Sequence, residues 1–488
     1  MSADVTLVNL NMLFVRYVDR AEREIHLPLG PLYVAAALER AGLEVDFRDY
    51  QSCDARELLS EASIGGFLEG AADILFVSCM ANLLPFTVLA LRRYRAANPD
   101  AFIALGGVGP ASIERPLLEA FPWIDAIAVG EGERTSVALA RAVKEARKSG
   151  SNPIDLSAVP GIVWRRGGEI VSNPRPPRIE QLDGEPLPAW HLLDLSRYRG
   201  MNMISSRGCP YPCTFCSVAP IWGRRPLLRS ADSIAAEMAS LHELCGAELF
   251  LFQDEYFVSS AARVKEVCRA IRGLGFPARW KAFGRIDLTD PATMQEMAEA
   301  GCVEIRYGVE SGCAEVLSRT RKGFTPEQAL DVLSLAVGIF PGVDAFYMWG
   351  FPFEDRGQFQ QTLLHMIAAR AMGVRILPSL LALLPQTTIY EELKGSARLE
   401  FCPELFPEYM LTGCEVCDGG RMRIADEHCE VYDLVASHPE LFPGFFHVDV
   451  EHNILPKYRL LQKFGFYSSE GRTELLGSDI DCCGAHSP

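Results

Sequence analysis

The residues Arg207-Gly208-Cys209-Pro210-Tyr211-Pro212-Cys213-Thr214-Phe215-Cys216 hold three cysteines in a C-x3-C-x2-C arrangement, directly after the short apolar run Met201 to Ser206. Thiolates this close on a turn do not all pair as disulfides, but they can converge on one soft metal centre. Three thiolates leave one iron of a 4Fe-4S cluster open, so such a site can bind and activate a ligand as well as carry an electron. The competing reading is three unrelated thiols. Cysteine clustering in a chain that shows no secretory signal points instead to metal or catalysis.

These residues resemble the signature of the radical S-adenosylmethionine (radical SAM) superfamily, down to the aromatic Phe215 before the last cysteine. The resemblance implies that Cys209, Cys213 and Cys216 ligate the cluster. It also implies that the open iron chelates the amino and carboxylate groups of S-adenosylmethionine, which is cleaved to a 5'-deoxyadenosyl radical after an electron arrives. An external electron donor such as flavodoxin or ferredoxin is then required.

The elements that position this loop read as alternating strands and helices. In the amino-terminal third, strands are expected at the start (Asp4 to Leu10) and at Leu43 to Tyr50, Ile74 to Cys79, Phe102 to Leu105 and Ala126 to Val129. Helices are expected at Leu29 to Arg40, Pro85 to Ala97, Ile113 to Ala120 and Thr135 to Lys148. Repeats of this kind build a doubly wound parallel sheet, whose ligands bind beyond the carboxyl ends of the strands. The turns there contain Ser78, Gly106, Gly107, Gly130, Glu131 and Gly132, and glycines let backbone approach a flat ligand closely. Any doubly wound fold needs such turns, with or without a ligand.

Together, Leu27-Pro28-Leu29-Gly30, Leu105-Gly106-Gly107 and Val129-Gly130-Glu131-Gly132-Glu133 ahead of the cysteine motif resemble the cobalamin-binding domain of cobalamin-dependent radical SAM enzymes, over about residues 3 to 145. The cobalamin contacts this implies are Leu29, Gly30, Ser78, Gly106, Gly107, Gly130, Glu131 and Gly132. There is no D-x-H-x-x-G, and His26 is the only histidine in this third, so no motif histidine offers a lower axial ligand to cobalt.

Residues 151–195 are Pro-rich and read as a linker containing one hairpin, Gly161 to Trp164 with Glu169 to Ser172; His191 is given no chemistry. From Met201 to Leu383 about six strand-helix pairs return, which fits a partial TIM-type barrel of (β/α)6 form open to a large substrate. Strands are expected at Met201 to Ser206, Glu248 to Gln253, Arg279 to Gly284, Val303 to Gly308, Val343 to Trp349 and Arg375 to Leu383. The active site belongs at their carboxyl ends. By the radical SAM resemblance, Phe215 backbone meets the adenine and Glu310 and Ser311 face the ribose or methionine part. Arg285 pairs with the methionine carboxylate, and Asp254 or Glu255 lies near the ammonium.

The fold class is therefore α/β: a Rossmann-like cobalamin-binding domain over 1–150, the linker, a barrel over 196–385 and a cysteine-containing C-terminal cap over 386–488. In the cap, Cys402, Cys414, Cys417 and Cys429 are placed symmetrically about a C-x2-C and can hold zinc or a second iron-sulfur cluster, or remain free thiols.

A net charge of −16 argues against non-specific binding to nucleic acid or an anionic membrane, and no run reaches the length of a spanning helix. Fifteen cysteines without a signal peptide fit a reducing, cytoplasmic compartment. The reading is a cobalamin-dependent radical SAM enzyme that methylates an unactivated carbon of a small natural product or a peptide. Two alternatives stand beside it: a cobalamin-dependent cyclisation or ring rearrangement without methyl transfer, and a corrinoid or iron-sulfur redox sensor. A methylthio transferase fits less well, because only Cys53 and Cys79 occur in the amino-terminal third.

Overall fold

The computed structural model describes residues 3–11, 13–17, 20–53, 61–151, 153–198, 200–396, 398–402 and 430–467. The first sheet contains β1 (Val5–Asn9), β4 (Val45–Asp49), β5 (Ile74–Ser78), β6 (Phe102–Gly106), β7 (Ala126–Ala128), β8 (Ile162–Arg166) and β9 (Glu169–Ser172). A separate antiparallel hairpin, β2 (Leu13–Tyr17) with β3 (Arg20–Glu24), follows β1. The strand order is β4-β1-β5-β6-β7-β8-β9. Only the β7–β8 and β8–β9 pairings are antiparallel, so the hairpin read as part of the linker extends the sheet.

Ile74, Leu75, Phe76 and Val77 are all buried because helices cover both sheet faces, as a parallel sheet requires. Helices Leu29–Arg40 and Gly132–Ser149 form one core with Val5, Leu7 and Phe76. Helices Leu84–Ala97 and Glu114–Ala120 form the other with Val8, Leu75 and Ile103.

The second sheet is fully parallel: β10 (Met201–Met203), β13 (Leu249–Phe252), β14 (Arg279–Gly284), β15 (Cys302–Glu310), β16 (Gly342–Trp349) and β17 (Arg375–Leu380), in that order. Six strands in chain order form the expected partial barrel. Helices such as Pro326–Val337 and Arg356–Ala371 pack outside it, and Thr325 with Gln328 and Asp355 with Gln358 start them through capping boxes.

Two strands depart from their expected limits for identifiable reasons. The first stops at Met203, and β11 (Ser206–Arg207) turns aside to pair with β12 (Leu227–Leu228). The Ser205 and Ser206 amides leave the ladder because the Asp254 carboxylate accepts both. The fourth runs on to Glu310, with a register shift after Gly308 and a left-handed φ of 68° at Glu310. Such backbone persists in a non-glycine residue only when its surroundings hold it.

After the barrel, helix Thr388–Leu393 lies on the cysteine loop, where the Ile389 amide donates to the Thr214 carbonyl at 3.0 Å. Strands β18 (Leu399–Phe401) and β19 (Phe446–Val448) pair with each other. Helix Glu430–Ser437 buries Val431 and Val435 in the first domain's core, and its Glu430 pairs with Arg92 at 2.7 Å. Helix Leu455–Lys463 is held to the barrel by Lys457, which donates to the Glu354 carboxylate at 2.8 Å. The C-terminal segment thus binds both halves of the molecule. Cys402 is buried, while Cys414, Cys417 and Cys429 lie outside the described residues.

Candidate active site

Counting only its five parallel strands in chain order, the first sheet runs 2-1-3-4-5, and the strand order reverses between β1 and β5, which lie side by side and parallel. In this flavodoxin-like order a ligand crevice opens at the switch point, beyond the carboxyl ends of the strands. A cavity of about 440 Å³ is found there. Its wall includes Leu29, Gly30, Ser78, Gly106, Gly107, Gly130, Glu131 and Gly132, the full set expected from the sequence. The opposite wall comes from the barrel: Ile204, Ser206, Arg207, Ile221, Trp222, Gln253 and Glu255.

The glycines give this wall its shape. A Cβ on Gly107, at φ 87°, would stand 2.7 Å from the Cys79 carbonyl oxygen, so the two strand-end turns pack backbone to backbone. A Cβ on Gly30 or on Gly130 would meet nothing within 4 Å. Bare backbone beside open space suits a broad, flat macrocycle, and among the described residues no histidine lines the cavity. The residues present fit a corrinoid.

Arg207 joins this cavity to the cysteine loop. Its guanidinium donates to Glu131 at 2.9 Å and to Glu133 at 2.7 Å, with all three side chains under 10 % exposed. It also lies over the rings of Tyr33, at 5.1 Å, and Trp222, at 5.5 Å. Burial opposes its charge, yet the two carboxylates hold its pKa above the ordinary arginine value. Arg207 and Glu133 both lie in the quoted motifs, at the start of the cysteine stretch and the end of Val129–Glu133, but the sequence assigns neither a role.

The loop itself is pinned from several sides. Asp254 at the end of β13 accepts from Ser205 and Ser206 below it, and burial raises its carboxyl to about 6. The Thr214 amide donates to the Thr320 carbonyl at 3.2 Å. Cys209, Cys213 and Cys216 are free and half-buried, and Cys213 and Cys209 lie close enough to Cys216 to help raise its thiol pKa. Burial pushes the Cys216 thiol up to about 12 and raises that of Cys209, so these sulfurs become thiolates when a metal takes the proton's place. Among the described residues no three His, Cys, Asp or Glu side chains are grouped to hold a single metal ion. A cube is different, because each cysteine binds its own iron and the sulfurs need not converge on one point. The donor set fits a cluster with three cysteine ligands.

The expected S-adenosylmethionine contacts separate on inspection. Phe215 packs edge-on against Phe351 at 6.2 Å, and Glu310 pairs with Lys322 at 3.1 Å. Glu255 opens onto the cavity, where enclosure by protein raises its carboxyl to about 7. Three of the expected contacts already have partners within the protein. Of the pair Asp254 and Glu255, Asp254 accepts from the Ser205 and Ser206 amides and so positions the loop, which leaves Glu255 as the carboxylate that faces the cavity. Ser311 is fully buried, sharing its hydroxyl with Thr362 at 2.7 Å and accepting from the Cys313 amide at 3.1 Å, so it shapes the turn. Arg285 has its fork occupied by Asp287, at 2.9 and 3.1 Å.

Lys322, unnoticed in the sequence, stands beside the cysteine loop with its ammonium 5.9 Å from the Phe215 ring centroid. The signal was available in Arg321-Lys322-Gly323, where Arg321 and Gly323 both adopt left-handed φ and turn the chain back toward Cys213.

Residues 18–140 match the family model of the B12 binding domain, and residues 203–366 match that of the radical SAM superfamily. An uncharacterized methyltransferase of Pyrococcus horikoshii is 27% identical over 296 residues, covering 60% of this chain and 63% of its own length. The anaerobic magnesium-protoporphyrin IX monomethyl ester cyclase of a Synechocystis species is 30% identical over 315 residues, covering 62% of this chain and 61% of its own. The chain thus spans about three fifths of the length of these curated relatives. Among solved structures, the radical S-adenosylmethionine methyltransferase TsrM from Kitasatospora setae, with cobalamin and a [4Fe-4S] cluster bound, has a TM-score of 0.63 at 20% identity and covers 82% of this chain and 77% of its own, a likeness of fold. With a glycine-lined cavity at the switch point of one domain, the C-x3-C-x2-C loop on the barrel beside it and the two family models matching the corresponding stretches, the chain joins a B12 binding domain to a domain of the radical SAM superfamily.

Proposed function

We propose that the protein is a cobalamin-dependent radical SAM methyltransferase acting on an unactivated carbon of a natural-product or peptide substrate. The observation that carries this reading is the shared wall: one cavity is lined both by the strand-end turns of the first domain and by Ser206 and Arg207, the stem of the cysteine loop. Cys209, Cys213 and Cys216 hold a 4Fe-4S cluster, the glycine-lined crevice holds cobalamin, and S-adenosylmethionine lies between them near Phe215, Glu255 and Glu310. Bound there, these groups supply one-electron cleavage of a sulfonium and a transferable methyl group. Both are needed, because an unactivated carbon has no lone pair with which to attack a sulfonium directly.

The chain's own part is positional. Asp254 and the Thr214–Thr320 hydrogen bond fix the cysteine loop. Arg207 fixes that loop against the corrinoid wall, and orientation of this kind is a large share of enzymatic rate. Electrons come from an external one-electron carrier such as flavodoxin or ferredoxin.

The relationship to magnesium-protoporphyrin ester cyclases favours a second reading, ring closure without methyl transfer. The experiment is anaerobic incubation of the cluster- and cobalamin-loaded protein with methyl-labelled S-adenosylmethionine and reductant. Methyl transfer requires label on the corrinoid together with S-adenosylhomocysteine and 5'-deoxyadenosine. Formation of 5'-deoxyadenosine with no label on the corrinoid supports the cyclase reading, and absence of both products removes the enzyme reading.

A further inference from the structure

We infer that Arg285 is a positioning residue for the cysteine loop that sets the reduction potential of the cluster held there, and that it does not receive the carboxylate of S-adenosylmethionine. The inference rests on the reading of Cys209, Cys213 and Cys216 as cluster ligands.

Arg285 follows β14 directly, at the mouth of the barrel. A guanidinium has five N–H donors. Here Nε and Nη2 grip Asp287 at 2.9 and 3.1 Å, Nη2 also donates to the Lys322 carbonyl at 2.6 Å, and Nη1 stands 4.0 Å from the Cys213 sulfur. One N–H remains, which does not make the fork that bidentate carboxylate recognition needs. The cation also lies over the Tyr211 ring, 3.4 Å from its centroid, and Tyr211 is midway in sequence between Cys209 and Cys213. Its position is therefore fixed by Asp287 on one side, the Lys322 carbonyl on another and the tyrosine face beneath.

What it presents to the cluster is a positive charge and an N–H directed at a ligand sulfur. Hydrogen bonds to ligand sulfurs and local charge are among the factors that set the potential of an iron-sulfur centre. When one electron passes from an external carrier to the cluster, its charge becomes more negative by one. A fixed cation beside Cys213 favours that reduced state. No bond forms or breaks at Arg285 and no proton moves. Asp287 lies on the far side of the guanidinium and offsets part of its charge. The two residues therefore act on the potential with opposite sign.

The test is an electrochemical titration of the reconstituted protein, followed through the paramagnetic signal of the reduced cluster, in wild type, Arg285→Gln and Asp287→Asn, with iron content and S-adenosylmethionine affinity measured alongside. The expected result is a more negative potential in Arg285→Gln and a less negative one in Asp287→Asn, with affinity for S-adenosylmethionine unchanged in Arg285→Gln. An unmoved potential in Arg285→Gln at full iron, with affinity lowered by an order of magnitude, assigns Arg285 to the carboxylate and overturns the inference. If Arg285→Gln loses its iron, an unmoved potential in Asp287→Asn overturns it alone. Wild-type protein that takes up no cluster overturns the functional reading itself, which is a separate result.

Discussion

The Arg207 guanidinium, two residues ahead of Cys209, stands 2.7 Å from the Glu133 carboxylate in the wall of the other domain's cavity. A buried cation shared by two buried carboxylates fixes the distance between the cluster loop and the corrinoid crevice. Removing one partner of a buried pair leaves the others charged and unsatisfied, at a cost of about 3–5 kcal/mol. Arg207→Met is expected to destabilise the protein on that scale, and Glu133→Gln in the Arg207→Met background is expected to restore part of the loss. Denaturant unfolding of the two single variants and the double variant checks this. Additive losses would show that the pair does not couple the domains.

Gly30 offers a change that fills the crevice without disturbing the fold. Its φ is ordinary, it lies in the first turn of helix Leu29–Arg40, and an added side chain meets nothing within 4 Å. Leucine is the better helix former by up to about 1 kcal/mol. Gly30→Leu is expected to melt at or above the wild-type temperature while failing to retain cobalamin through desalting. Retention equal to wild type would move the corrinoid away from this wall.

His447, on β19 of the C-terminal segment, is buried, and burial lowers its pKa to about 4. A histidine depressed in the folded state lends stability above its unfolded pKa of 6.5, and that stability is lost as pH falls toward 4. Between pH ~7.5 and ~5.5 the wild type is expected to lose about 1.4 kcal/mol more than His447→Leu. Parallel stability curves for the two proteins over that range would show that His447 is not held neutral.

Much of this architecture is written locally. Apolar runs such as Ile74 to Val77 and the caps at Thr325 and Asp355 mark parallel strands and helix starts, and Arg279–Gly284 and Leu29–Arg40 coincide with their expected limits. Ser78, Gly106, Gly107, Gly130, Glu131 and Gly132 were legible for the same reason, since strand-end turns follow from strand positions, whereas Leu29 and Gly30, in the first turn of a helix, came from the resemblance to the cobalamin-binding domain. The side-chain roles were not. Ser205 meets Asp254 across 49 positions and Arg207 meets Glu131 across 76, and no local period encodes such pairs. Ser311 and Arg285 follow strand ends and were given ligand roles by the radical SAM resemblance, which does not reveal that Thr362 and Asp287 are their partners within the protein.

The most direct measurement compares wild type with a Cys209→Ala, Cys213→Ala, Cys216→Ala variant, both reconstituted anaerobically with iron, sulfide and cobalamin. The expected result is about four irons and 5'-deoxyadenosine formation in wild type alone, with cobalamin bound to both proteins. Iron and 5'-deoxyadenosine persisting in the variant would contradict the assignment of the cluster to this loop.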